Sequence, residues 1–169
     1  DIVKYAATNV TDIFRSRAGL GATVQSMVDT FASEEASLFD ADYQLKVIQL
    51  REQLVMRSLI RRIQGARKLD KAEAAKVIDK AQDHMLNAAW AYSENLMVQS
   101  MSEAERSLPV GSTERAVFEQ VRHLFVFDTI IRNAGWYQEQ NVISSGRVKA
   151  ARAAINDLVD SLGPWSEVL

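Results

Sequence analysis

Residues 38–63 read LFDADYQLKVIQLREQLVMRSLIRRI, and their spacing decides the fold. Tyr43, Val47, Leu50 and Leu54 recur at intervals of three and four, the period of an α-helix. Ile48, Val55, Leu59 and Ile63 form a second ridge beside the first. Together they make an apolar face wide enough for a helix in the middle of a bundle. Asp40 or Asp42 is placed to cap this helix, which runs to about Arg67. Its polar face holds Arg51, Arg57, Arg61 and Arg62. Arg51 and Glu52 are adjacent, so they point about 100° apart and cannot pair with each other. With ridges on both flanks, at least one of them is expected to be partly buried against another element, while Arg61 and Arg62 stay solvated.

The same period extends in both directions. Asp1–Arg17 carries Val3, Ala6, Ala7, Val10, Ile13 and Phe14 at helical spacing, and Thr23–Phe31 reads as a short further helix before a polar loop over Ala32–Ser37. Asp70 with Glu73 is a capping-box variant, and from Lys71 to about Ser107 nothing in the sequence stops the helix. The expected seam there is Ile78, Ala81, Met85, Ala88, Tyr92 and Leu96. Pro109 and Gly111 make a turn. Ser112 or Thr113 caps a helix through about Asn141, with Val117, Val121, Leu124, Phe125 and Ile131 facing inward. Ser144 or Ser145 caps another that carries Val148, Ala151, Ile155, Leu158 and Leu162 and ends at Gly163-Pro164. Trp165–Leu169 reads as the start of one more. No strand pattern and no internal repeat interrupts this. The expectation is an all-α, up-and-down bundle of four to five main helices.

Composition narrows the function classes. The chain has 169 residues, 47% hydrophobic and 25% charged, as an ordered globular domain does. A net charge of −2 gives no electrostatic footprint for nucleic acid. No apolar run reaches the ~18 residues of a membrane span. Cysteine is absent, which excludes disulfides, thiolate catalysis and cysteine-ligated metal.

The residues that carry chemistry elsewhere are poorly arranged for it here. A di-iron bundle needs Glu-x-x-His pairs, but Ala81 and Gln120 stand three residues before His84 and His123. Glu119 and His123, four apart, suit a surface ion pair. His84 reads as a partly buried, hydrogen-bonded histidine at a helix interface. There is no Gly-x-Ser-x-Gly elbow. Gly19-x-Gly21 follows a helix and lacks the third glycine of a dinucleotide loop. Trp90, Trp136 and Tyr137 are read as packing residues. No catalytic, cofactor-binding or metal-binding residue is assigned to any position.

Four stretches resemble the C-terminal α-helical domain of the acyl-CoA oxidases, within the acyl-CoA dehydrogenase superfamily. The first is Val3-Lys4-Tyr5-Ala6-Ala7. The second is the quoted 38–63 segment, with its aspartates, aromatic, Arg51-Glu52 pair and closing Arg61-Arg62. The third is Gln82-Asp83-His84-Met85-Leu86 followed by Ala91-Tyr92. The fourth is FDTIIRNAGWYQEQNVISSGRVKAAR, residues 127–152, with Gly135-Trp136 and a serine-capped helix in family order. They cover nearly the whole chain in one register.

The resemblance implies that residues 1–169 are one domain of a longer flavoenzyme. Such an enzyme uses FAD to desaturate acyl-CoA to trans-2-enoyl-CoA in fatty-acid β-oxidation, passing the electrons to O2 as H2O2. The implied catalytic base, a glutamate in a Phe-Glu-Gly type segment, and the flavin-binding domain lie upstream of this region. The fragment alone is therefore expected to be inactive. The implied partners are those upstream domains, a second copy in a homodimer, and the acyl-CoA substrate. The expected location is a bacterial cytoplasm, or a peroxisome if the source is eukaryotic. The competing reading is a free-standing helical-bundle interaction module without catalysis.

Overall fold

The computed structural model describes residues 37–66 and 68–165. Among these the order is α1 (Ala41–Ala66), α2 (Lys71–Asp79), α3 (Gln82–Ser107), α4 (Thr113–Arg132), α5 (Ala134–Glu139) and α6 (Ser145–Leu162), closed by a 3-10 turn over Gly163–Trp165. No strand occurs among them. The expected all-α bundle is what forms. The helices expected over 1–17 and 23–31, and the Val3–Ala7 motif, lie outside the described residues, as do residues 166–169.

Serine and aspartate caps set most helix starts. Asp40 Oδ1 accepts from the Tyr43 amide at 2.7 Å, so Asp40 rather than Asp42 opens α1. Asp70 accepts from the Ala72 and Glu73 amides at 2.9 Å each. Ser112 and Ser144 accept from the amides of Arg115 and Arg147. Gly111, at φ +81°, makes the reversal between α3 and α4, a conformation that costs glycine nothing.

Two expected helices are broken. The span from Lys71 to Ser107 divides at Lys80-Ala81, where the Ala81 amide turns back to the Ile78 carbonyl at 3.0 Å and tightens the chain into a turn. Ala81 is then buried while no residue of α2 is. The span expected from Ser112 to about Asn141 divides at Asn133. Its side-chain amide donates to the Thr129 carbonyl at 2.8 Å, competing with the helical ladder as a short polar side chain does.

Helices α1, α3, α4 and α6 build the core. Tyr43, Val47, Ile48 and Leu50 from α1 meet Val98 of α3, Val126, Phe127 and Ile130 of α4, and Val148, Ala151, Ala154 and Leu158 of α6. A second cluster sets Met56, Leu59, Ile60 and Ile63 of α1 around Ala88, with Met85 packed beside it. The start of α1 thus lies against the end of α3 and its end against the start of α3, an antiparallel pair.

The register of α3 keeps Ala88 of the expected seam and departs from it at Tyr92 and Leu96. Ala88, Ala91, Glu94, Asn95, Val98, Ser102 and Glu105 face inward. Tyr92, Leu96 and Trp90 are exposed, and Met85 is only half-buried. On α4 the inward face is Arg122, His123, Val126, Phe127, Thr129 and Ile130, whereas Val117, Val121, Leu124, Phe125 and Ile131 were expected there. All five lie half-buried at its margins. In both helices the inward face contains charged and polar residues that hydropathy places outside.

Candidate functional site

Those inward polar residues form two joints through the core. In the first, Arg51 of α1 donates through Nη1 to Glu94 of α3, and Asn95 donates to Glu52 one residue along on each helix. Arg51 and Glu52 are both buried, so the expected burial of this pair extends to both members. Each finds its partner on α3, and Arg61 and Arg62 at the far end of α1 are exposed as expected. Arg132 of α4 reaches the other Glu94 oxygen at 3.5 Å while its Nε bonds Asp128 at 2.8 Å, so one carboxylate ties α1, α3 and α4 together. Tyr137 packs beside this joint, fully buried and edge-on to Trp136 at 5.2 Å between ring centres. Burial pushes its hydroxyl pKa well above the ordinary tyrosine value; Arg51 opposes that and Glu94 and Tyr43 add to it.

The second joint lies at the opening of α1. Arg122 donates through Nε to Glu105 at 2.7 Å and through Nη1 to Oε1 of Gln44. That contact orients the Gln44 amide, whose Nε2 then donates to the Leu38 carbonyl at 2.8 Å and meets Nδ1 of His123 at 2.8 Å. Nδ1 also lies 3.1 Å from the Gln44 oxygen, and Nε2 of the ring faces Glu119 at 3.7 Å. Phe39 stands edge-on to His123 and to Phe127, at 5.1 Å from each. Burial, then the Arg122 charge, lowers the His123 pKa to about 4, with Glu105 pulling the other way. The expected surface ion pair is thus a contact between an exposed Glu119 and a buried imidazole. Between α4 and α6, Phe39, His123, Glu119, Asp157, Leu158 and Ser161 border an open cavity of about 420 Å³.

The structure scatters the other residues weighed from the sequence. His84 is half-buried near the start of α3, Arg57 is exposed, and Trp90 projects to the surface rather than packing. Gln44, Glu94, Asn95, Glu105, Arg122 and Arg147 were not singled out from the sequence. Arg147 lies over the Tyr43 ring, 4.5 Å from its centre. One signal was available for them: each falls between apolar residues at helical spacing, where a solvated charge has no room.

Chemically the joints hold helices together. Arg51 and Arg122 are each engaged by an internal carboxylate, and a histidine with a pKa near 4 is a poor base at neutral pH. No group of three or more His, Cys, Asp or Glu is placed to hold a metal ion among the described residues. None of the described helices is long and apolar enough to cross a membrane.

Residues 40–165, most of the chain, match the acyl-CoA oxidase family. No curated protein and no solved structure matches the chain.

Proposed function

Because this chain belongs to the acyl-CoA oxidase family, we propose that it serves as the C-terminal helical domain of an FAD-dependent acyl-CoA oxidase, giving that enzyme structural support and a dimer contact. The family match over 40–165 carries this reading, and the quoted motifs from Leu38 to Arg152 support it. The enzyme so formed would take a proton from the α-carbon and a hydride from the β-carbon of acyl-CoA, and O2 would leave as H2O2.

The cavity beside His123 does not suit FAD. It is bordered by two carboxylates, Glu119 and Asp157, which repel a pyrophosphate. The buried arginines nearest the core are already paired. Flavin binding and proton abstraction are therefore assigned to upstream domains of the same enzyme. What these residues supply is rigidity: two charged joints and an apolar core fix the helices on whose outer faces other domains can rest.

Two preparations test the reading: the complete protein encoded with this chain, and the chain alone. Each is desalted after mixing with FAD, scanned for flavin absorbance, then given palmitoyl-CoA while peroxide is followed. The expected result is a yellow, peroxide-forming complete protein and a colourless, inactive chain. Retained flavin or peroxide from the chain alone would overturn the assignment of chemistry to upstream domains. A complete protein with neither would overturn the oxidase reading itself.

A further inference from the structure

Helices α4 and α6 wall the open cavity beside His123 with one pattern. Ala116, Glu119, Gln120 and His123 stand at i, i+3, i+4 and i+7 on α4. Ala154, Asp157, Leu158 and Ser161 repeat that spacing on α6. Each wall thus offers a small alanine, which leaves room, and an acid one turn later. Phe39, 47% exposed, adds apolar surface. Ser161 Oγ stands 2.7 Å from Gln120 Oε1, a hydrogen bond that fixes the two walls. The volume of about 420 Å³ is that of a small-ligand site.

Its charge is of one sign. Glu119 and Asp157 are exposed carboxylates, and no lysine or arginine borders the cavity among the described residues. His123, its pKa lowered to about 4, is neutral at pH 7 and offsets neither acid. A cleft of one sign concentrates counter-ions. His123 is also 5% exposed, and its Nε2 faces Glu119 at 3.7 Å, beyond hydrogen-bond reach. With the ring proton on Nδ1, 3.1 Å from the Gln44 oxygen, Nε2 is an acceptor turned toward a carboxylate. Two acceptors so placed suit one N–H donor entering from the cavity.

Several ligand classes drop out. Anions are repelled. No group of three or more His, Cys, Asp or Glu is placed to hold a metal ion among the described residues. A purely apolar molecule would strip water from the carboxylates and return no hydrogen bonds. An organic cation remains. Gln120, in the first half of α4, meets Ser161 at the end of α6, so the helices run antiparallel. In that register Asp157 lies opposite Leu124, about five residues or roughly 7 Å along the groove from Glu119. Two acids staggered in this way match two ammonium groups on a short alkyl chain. Extended 1,4-diaminobutane sets its nitrogens about 6 Å apart, with methylenes to lie on Phe39 and Leu158.

We infer that the cavity between α4 and α6 binds a short aliphatic diamine, one ammonium held between Glu119 and the His123 ring and the other by Asp157. The inference stands apart from the oxidase reading, because it uses residues to which no part of that chemistry is assigned.

The test titrates the isotope-labelled 169-residue chain with 1,4-diaminobutane at pH 7 and fixed ionic strength, following backbone amide resonances. Saturable shifts are expected over residues 116–123 and 154–161. Butylamine, with one charge, should bind about tenfold more weakly or worse, and inorganic phosphate should move none of these amides. Glu119→Gln and Asp157→Asn, at exposed positions, should each weaken the diamine by about tenfold or more with helical circular dichroism unchanged. Added salt should weaken binding. Nα-acetyl-lysine amide should bind no better than butylamine.

Shifts that never saturate, or that are as large around the exposed Asp42 and Asp79, would show diffuse counter-ion attraction and overturn the proposal. So would undiminished binding by either variant, or equal binding of butylamine. Tighter binding of the lysine amide than of the diamine would overturn it too, by making the occupant a protein side chain.

Discussion

Taking the protein from pH 7 to pH 4.5 should weaken the fold by about 2–3 kcal/mol through His123 alone. In the folded chain its pKa is lowered from 6.5 to about 4, by burial first and by Arg122 second, against the pull of Glu105. An unfolded chain is free to protonate this ring below pH 6.5 and the folded chain is not. Stability is therefore fully present above the unfolded value and is lost as the pH falls from about 6.5 towards about 4. The assay is urea unfolding followed by circular dichroism at both pH values, for the native chain and for His123→Gln, which keeps a hydrogen-bonding side chain but cannot titrate. The loss between pH 7 and 4.5 should be about 2–3 kcal/mol larger in the native chain, carboxylate contributions being common to both. A difference below about 0.5 kcal/mol would refute the neutral, buried imidazole.

Further outcomes rest on the two joints and on the register of α3. Glu94→Ala should cost about 3–5 kcal/mol in urea unfolding, because it strands a buried Arg51, whereas Arg62→Gln on the exposed end of α1 should change stability by less than about 0.5 kcal/mol. Tyr137→Phe should be neutral or stabilising by about 1 kcal/mol, since its buried hydroxyl has no hydrogen-bond partner among the described residues; a loss above about 2 kcal/mol would reveal one. Ala91→Leu should lower stability by about 1–3 kcal/mol through overpacking against α1, while Ala89→Leu on the open face of the same helix should be tolerated in the same titration.

Much of the chain could be read locally. Asp40, Asp70, Ser112 and Ser144 cap helices because each satisfies amide groups within three residues of itself, so sequence alone carries the information. The same holds for the inward run of α6, where Val148, Ala151 and Leu158 are buried. It holds too for the burial of Arg51-Glu52, which the apolar ridges on both flanks of α1 require. The breaks at Lys80-Ala81 and at Asn133 carry no glycine or proline, so periodicity ran through both.

The face of α3 was decided by tertiary structure. Two helical stripes share Ala88 and diverge from it: Met85, Tyr92 and Leu96 with the neighbouring Trp90, and Ala91, Asn95, Val98, Ser102 and Glu105. Hydropathy favours the first, and the fold buries the second. A carboxylate is costly inside a core only while it is unpaired, and Glu94 meets Arg51 from a helix forty-three residues away in sequence. The alanines on that stripe let α1 approach closely enough for the pairing. Both facts belong to the assembled bundle and to no single segment, which is why the order and capping of the helices were legible in the sequence and the choice of buried stripe was not.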